Sequence, residues 1–160
     1  MQVVKANCNP HRAAHSVAVA NVCKDLASYH GLDVRRAYIA GMLHDVTKAK
    51  SDEWNKHVLS IYDEEKLVYS NKVWHSFTCP IFIKQNMMIH DEKILNAIYH
   101  HTLGTSADPY AMILYIADKC EPTRGYDSTF ELELSRKDLK AGFDLVYQEA
   151  QEYIKNNPSK

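Results

Sequence analysis

Apolar residues recur at helical spacing along almost the whole chain, and in four stretches a histidine or an aspartate completes the apolar row. His15 shares a stripe with Ala18, Val19, Val22 and Leu26, and His44 completes Ala37, Ala40 and Gly41. His101 follows Ile94, Ala97 and Ile98, while Asp118 follows Ala111, Leu114 and Tyr115. A helix in water buries its apolar stripe, so these polar groups are carried inward with it. Helical phase also separates two adjacent histidines, because His100 falls in line with Lys93 and Asn96 and faces outward. A carboxylate on an apolar face is costly to desolvate unless it is paired or bound to a metal. Taken singly, an inward histidine is more often a hydrogen-bonded core residue than a ligand, and Asp118 near a helix end can cap it or pair with Lys119 or Arg124. Several imidazoles and carboxylates converging on one core form the usual donor set of a divalent ion.

The boundaries of these stretches are marked by capping residues. Asn9-Pro10 opens a helix running to Tyr29 with Gly31 as its stop, and Asp33 caps a second through Val46. Ser51 or Asp52 begins a third, in which Trp54, Val58, Ile61 and Tyr62 form the apolar stripe. Val73 to Met87 is helical in composition but broken by Pro80, Asp91 caps a segment to Thr102, and Asp108-Pro109 opens another to Cys120. Ser135 starts a last amphipathic helix, about 136–155, with Leu139, Phe143, Val146, Tyr147, Ala150 and Ile154 on its apolar side. Only five glycines and five prolines occur in 160 residues, too few for the turns of a many-stranded sandwich or barrel. The expected fold is all-α, and no linker or repeat divides the chain, so 1–160 is read as a single domain.

Charge and composition exclude several partners. With 19 basic against 20 acidic residues and no basic run, neither nucleic acid nor an anionic membrane is expected to be the main partner, and a small ligand is favoured. The longest apolar run, Tyr110 to Ala117, is too short to span a bilayer, and the first residues carry no apolar leader, so the protein is expected to be cytoplasmic. Cys8, Cys23, Cys79 and Cys120 stand far apart and are expected to be reduced, mostly buried thiols. His11 and His15 have the spacing of a zinc-protease helix, but Arg12 stands where the catalytic glutamate would be required.

His15 on the first long helix, the doublet His44-Asp45 in LHDVTK and the distant Asp118 in YIADK resemble the HD metal-dependent phosphohydrolase superfamily. The branch it is most similar to is that of the YqeK-type symmetrical diadenosine tetraphosphatases. The likeness lies in HRAAHS, the lysine of LHDVTK, the WH at 74 and 75, HTLG at 101 to 104 and YIADKCEPTRGYD at 115 to 127, covering about 12–127 in order. The resemblance implies an HD-type helical bundle with a metal site between helices, closed by the last helix. It also has departures. Ala13-Ala14 replaces a bulkier polar pair, the segment from Ala49 to Val73 matches loosely, and Cys79-Pro80 replaces a usual Gly-Ala at a point where a kink would shift His75.

Carried over residue by residue, the resemblance implies that His15, His44, Asp45 and Asp118 hold one divalent ion, iron being the family's usual occupant and manganese or cobalt alternatives. His75 and His101 are implied either as ligands of a second ion bridged by Asp45 or as contacts to substrate phosphates. Arg12, Lys48 and Arg124 match phosphate-binding positions, and Asp45 and Lys48 are the residues expected to serve catalysis. The implied reaction is hydrolysis of diadenosine tetraphosphate or a related dinucleoside polyphosphate at the middle of its chain, giving two nucleoside diphosphates, with room for a homodimer. The alternatives are an HD phosphohydrolase acting on mononucleotides or cyclic nucleotides, which a substrate panel separates, and a weakly active nucleotide or metal sensor, against which the retention of His15, His44, Asp45, Lys48 and Asp118 speaks.

Overall fold

Short polar side chains satisfy the free amides at the start of most helices. In the computed structural model, which describes residues 1–158, the helices are α1 (Gln2–Asn7), α2 (Pro10–Tyr29), α3 (Val34–Leu43), α4 (Asp52–Tyr62), α5 (Trp74–Met87), α6 (Glu92–Tyr99), α7 (Pro109–Cys120), α8 (Thr129–Lys137) and α9 (Leu139–Asn156). Asn9 accepts from the Arg12 amide, Asp33 from Arg35 and Arg36, Ser51 from Trp54, Asp91 from Lys93 and Ile94, and Asp108 from Tyr110. Each such cap contributes about 1 kcal/mol. Single 3-10 turns fill Glu64–Val68, Asn71–Val73 and Pro122–Arg124, and no strand occurs among the described residues, so the fold is all-α.

The centre of the bundle is α7, whose Ile113, Leu114, Tyr115, Ile116 and Ala117 are almost fully buried. Helices α2, α3, α6 and α9 pack around it, and one continuous apolar cluster runs from Val4 of α1 to Val146 of α9. All four cysteines are free, and Cys23, Cys79 and Cys120 are buried. Burial holds their thiols protonated, with Cys120 pushed up to about 12. No helix among the described residues is long and apolar enough to cross a membrane.

Five expectations from the sequence need correction. The segment expected to run to Thr102 ends as a helix at Tyr99, where the His100 amide caps it, and His101 lies in the turn beyond. The helix expected to reach Val46 ends at Leu43. The His44 ring takes the Gly41 carbonyl at 2.7 Å, and the chain goes on in three-residue turns closed by Val46 N–H to Leu43 O and Lys48 N–H to Asp45 O. On α4 the buried residues are Asn55 and Leu59, while Ile61 and Tyr62 are exposed. The cause is polar: the Asn55 amide donates to the carbonyls of Lys50 and Ser51 and accepts from the Thr78 hydroxyl, turning the expected stripe sideways. Helix α5 continues through Pro80 without a break, and His75 stays in the interior, 5% exposed. Ser135 does not start the last helix. It lies in α8, which the sequence reading missed, donates to the Glu131 carbonyl, and leaves Asp138 to cap α9 through the Ala141 amide. The short α1 was also missed; its one buried residue is Val4.

Helices α2 and α3 touch where both carry small residues. A Cβ on Gly41 would stand 2.7 Å from the Ala20 Cα and 2.9 Å from its amide nitrogen, both backbone atoms that a rotamer change cannot move. Gly41→Ala therefore gains up to about 1 kcal/mol of helix propensity but must push two helices apart, a cost of roughly 1–3 kcal/mol. Chemical denaturation is expected to show net destabilisation, with weakened metal binding alongside it because the Gly41 carbonyl orients His44.

Candidate metal centre

Three of the inward histidines are oriented through Nδ1, which leaves Nε2 turned to a common point. His44 Nδ1 donates to the Gly41 carbonyl at 2.7 Å, His101 Nδ1 to the Ile98 carbonyl at 2.6 Å, and His15 Nδ1 to Glu121 Oε1 at 2.8 Å. With the proton on Nδ1, Nε2 of His44 and of His101 is a lone pair, the form in which imidazole binds metals. The His44 lone pair faces a carboxylate, 3.4 Å from Asp118 Oδ1. His15 is held between two carboxylates, with Glu121 at Nδ1 and Asp118 Oδ1 hydrogen-bonded to Nε2 at 3.0 Å.

Asp45 stands at the centre of the cluster and is 2% exposed. Its Oδ2 lies 3.5 Å from His44 Nε2, 3.9 Å from His15 Nε2 and 3.6 Å from Lys48 Nζ. Its Oδ1 turns the other way, 3.4 Å from His75 Nε2 and 3.6 Å from His101 Nε2. Burial alone would raise the Asp45 carboxyl, but His44, His101, His75 and Lys48 outweigh it and hold the group well below the usual carboxylate range. Burial likewise opposes the ionisation of Asp118, which His15, His44 and Lys119 keep as the anion. His44 would be lowered by burial, yet Asp45 and Asp118 raise it: the two carboxylates call for positive charge, which a proton or a divalent ion can supply. His101, lowered to about 4 by burial, is a neutral imidazole at pH 7.

Three buried atoms of this cluster, His44 Nε2, Asp45 Oδ1 and His75 Nε2, have no hydrogen-bond partner. Leaving such groups unsatisfied costs about 1–3 kcal/mol each, and more for a charge. A lone pair facing a carboxylate is explained by a cation between them, so the residues present fit a divalent ion. Two donor groups satisfy the spacing, His15 with His44 and Asp118, and His44 with Asp45 and His101.

The cluster floors a cleft of about 380 Å³ whose walls include Arg12, Lys48 and Arg124. Lys48 follows Asp45 by one 3-10 turn rather than along a helix. The Arg124 guanidinium binds Asp118 at Oδ1 (3.1 Å) and at its backbone carbonyl (2.9 Å), and Arg12 Nη1 is buried without a partner. His100 lies outside the cluster, where its Nδ1 bonds the Thr105 hydroxyl. Sequence reasoning missed Glu121, which is 1% exposed and bonded to His15 and to the amide and hydroxyl of Thr123. Its signal was present in the sequence, a carboxylate three residues after Asp118 and directly before a proline. Also missed was the Thr47–Thr78–Asn55 network, in which Thr47 donates to the His75 carbonyl and so braces α5 beneath the site.

An inward cluster of histidines and aspartates at helix ends, roofed by cations, is the arrangement of a metal-dependent phosphohydrolase built on a helical bundle. The HD domain matches residues 12–123, and the chain belongs to the HD domain family, in the branch of the symmetrical bis(5'-nucleosyl)-tetraphosphatases. The symmetrical bis(5'-nucleosyl)-tetraphosphatase of Bacillus subtilis (strain 168) is 31% identical over 143 residues, which cover 85% of this chain and 75% of that protein. Its namesake from Halalkalibacterium halodurans is 26% identical over 140 residues, covering 86% and 75%. The crystal structure of a predicted HD superfamily hydrolase involved in NAD metabolism from Clostridium acetobutylicum superposes with a TM-score of 0.87 at 24% identity, over 98% of this chain and 86% of that one, and shows the same fold.

The neighbouring histidines give a test with an internal control. His101→Ala removes a donor facing Asp45 and is expected to lower metal affinity and turnover by roughly tenfold or more, whereas His100→Ala should change neither by much. Elemental analysis of both purified variants, beside turnover, checks this; equal losses would overturn the assignment of His101 to the cluster.

Proposed function

We propose that the protein hydrolyses diadenosine tetraphosphate, or a related dinucleoside polyphosphate, at the centre of its phosphate chain to give two nucleoside diphosphates. The observation that carries this reading is the buried donor cluster with three unpartnered atoms, lying directly beneath a cleft walled by Arg12, Lys48 and Arg124. The relatives from Bacillus subtilis and Halalkalibacterium halodurans, both symmetrical bis(5'-nucleosyl)-tetraphosphatases, support the substrate.

In this reading His15, His44, Asp45 and Asp118 hold one ion, and iron is the proposed occupant. His75 and His101 supply a second position on the other side of Asp45; the division of its carboxylate, with Oδ2 toward His15 and His44 and Oδ1 toward His75 and His101, favours that role over direct phosphate contact. When bound, a divalent ion supplies Lewis acidity and lowers the pKa of water toward neutrality. Lys48, with its ammonium 3.6 Å from Asp45 Oδ2 and 43% exposed, is placed to shift onto a phosphoryl oxygen at the reacting centre. Arg12 brings an unsatisfied guanidinium N–H to the same phosphates, and Arg124 holds Asp118 in place while facing the cleft. The cations neutralise charge on the phosphoryl oxygens in the transition state. A nucleoside diphosphate leaves readily, so the site needs no dedicated general acid.

Two measurements test the reading. Chromatography of a substrate panel, run with elemental analysis of the protein, is expected to give two equivalents of ADP per diadenosine tetraphosphate; ATP with AMP, or turnover confined to mononucleotides or cyclic nucleotides, would overturn it. Lys48→Met keeps the stem and removes the charge. Turnover should fall by roughly tenfold to a thousandfold, as on loss of one preorganised transition-state donor. Metal content should hold, and the melting temperature should move little, because the Lys48 ammonium is itself 43% exposed and Asp45 keeps its four imidazole neighbours.

A further inference from the structure

The cleft over the donor cluster has a second arm. A cavity of about 360 Å³ shares Arg12 and Lys48 with the first but is otherwise walled from the α4–α5 side, by Lys50, Lys72, Asn71 and His75 among others. The first arm is closed by the turn after α7, with Thr123 and Arg124, and by His11 at the start of α2. Arg12 and Lys48 are thus the ridge between two cavities of nearly equal size, and the buried donors lie below that ridge.

The second arm is built for an anion. Arg12, Lys48, Lys50 and Lys72 face it, against one carboxylate, Asp52, whose Oδ2 is already taken by the Asn71 amide at 2.5 Å. The Lys50 ammonium lies 5.5 Å over the rings of Trp54 and Phe82, a weak partner that a phosphate would replace. Arg12 Nη1, on the shared ridge, is buried with no acceptor in the protein, and a desolvated guanidinium N–H is satisfied by an anionic oxygen.

A site with one arm would hold one nucleotide and measure the cut from that end of the substrate. Cutting a tetraphosphate in its middle leaves two phosphates on each side of the reacting bond, so the half beyond the first arm also carries charge that the protein can hold. We infer that the second arm seats the other nucleoside diphosphate half of the substrate, with Lys50, Lys72 and Asn71 as its own contacts, so that the pair of arms centres the chain over the metal donors. This rests on the proposed function and adds the residues that hold the second half of the substrate.

The test is the stoichiometry of product binding, which needs no turnover. Calorimetric titration of the metal-loaded protein with ADP is expected to find two sites per chain. Lys50→Ala/Lys72→Ala should keep one, with the melting temperature little changed because Lys72 is exposed and Lys50 gives up only its weak contact with the Trp54 and Phe82 rings, and Lys72→Glu alone should weaken the second site by charge reversal. For diadenosine tetraphosphate the double variant should raise KM by roughly tenfold or more, since each lost hydrogen bond to a charged group is worth about that much. One ADP per wild-type chain, or two ADP retained by both variants, would overturn the inference. Failure of the wild-type protein to release two ADP from diadenosine tetraphosphate would instead overturn the proposed function, whatever the ADP stoichiometry.

Discussion

Asp45 is a nearly fully buried carboxylate surrounded by four imidazoles, and the rest of the structure is arranged so that this charge is tolerated. A buried anion without compensation costs several kcal/mol even after relaxation. Here compensation arrives from four separate elements: His15 from α2, His44 from the end of α3, His75 from α5 and His101 from the turn after α6. Helices α2, α3, α5 and α6 must therefore converge, and the small residues at the α2–α3 contact, Ala20 and Gly41, let them do so. The same convergence makes a site that an ion completes, because His44 Nε2, His75 Nε2 and Asp45 Oδ1 otherwise lack a partner.

Helix ends do the positioning. His44 and His101 use the same device: each sits just beyond a helix and donates Nδ1 to the carbonyl three residues earlier, Gly41 or Ile98. The bond uses a carbonyl in the last turn of the helix and locks the ring tautomer in one step. Glu121 does the equivalent for His15 from the end of α7, where its other carboxylate contacts close the next turn on Thr123. Ending α3 at Leu43 also throws Lys48 out over the cluster, one turn past Asp45, where a continued helix would have kept it tied to the helix surface.

Above the donors, charge is distributed along the length of the cleft. Arg12 and Lys48 form a central ridge, with Arg124 on one side and Lys50 and Lys72 on the other. On the inference drawn above, a polyanion that spans both sides meets cations on either side of the ridge, while a short one fills one side only.

Much of this was legible in the residues. Helical spacing put His15, His44, His101 and Asp118 on inward faces and His100 outside, since phase along a helix is a local property. The caps Asn9, Asp33, Ser51, Asp91 and Asp108 marked where helices begin for the same reason. Motif resemblance added Asp45, His75 and Lys48. What local pattern could not reach were contacts between distant segments. The Asn55–Thr78 bond rotated α4 away from its apolar stripe, and the close approach of Gly142 to Ser135 packed α9 against a helix that sequence reasoning had merged with it. The pairing of Glu121 with His15 joins residues 106 positions apart. The chain by itself determined which groups are carried inward, because burial of an apolar stripe takes its polar members along. Only the tertiary structure decided that they meet at Asp45, and that a cleft with two arms lies above them, because both depend on where the helices stop.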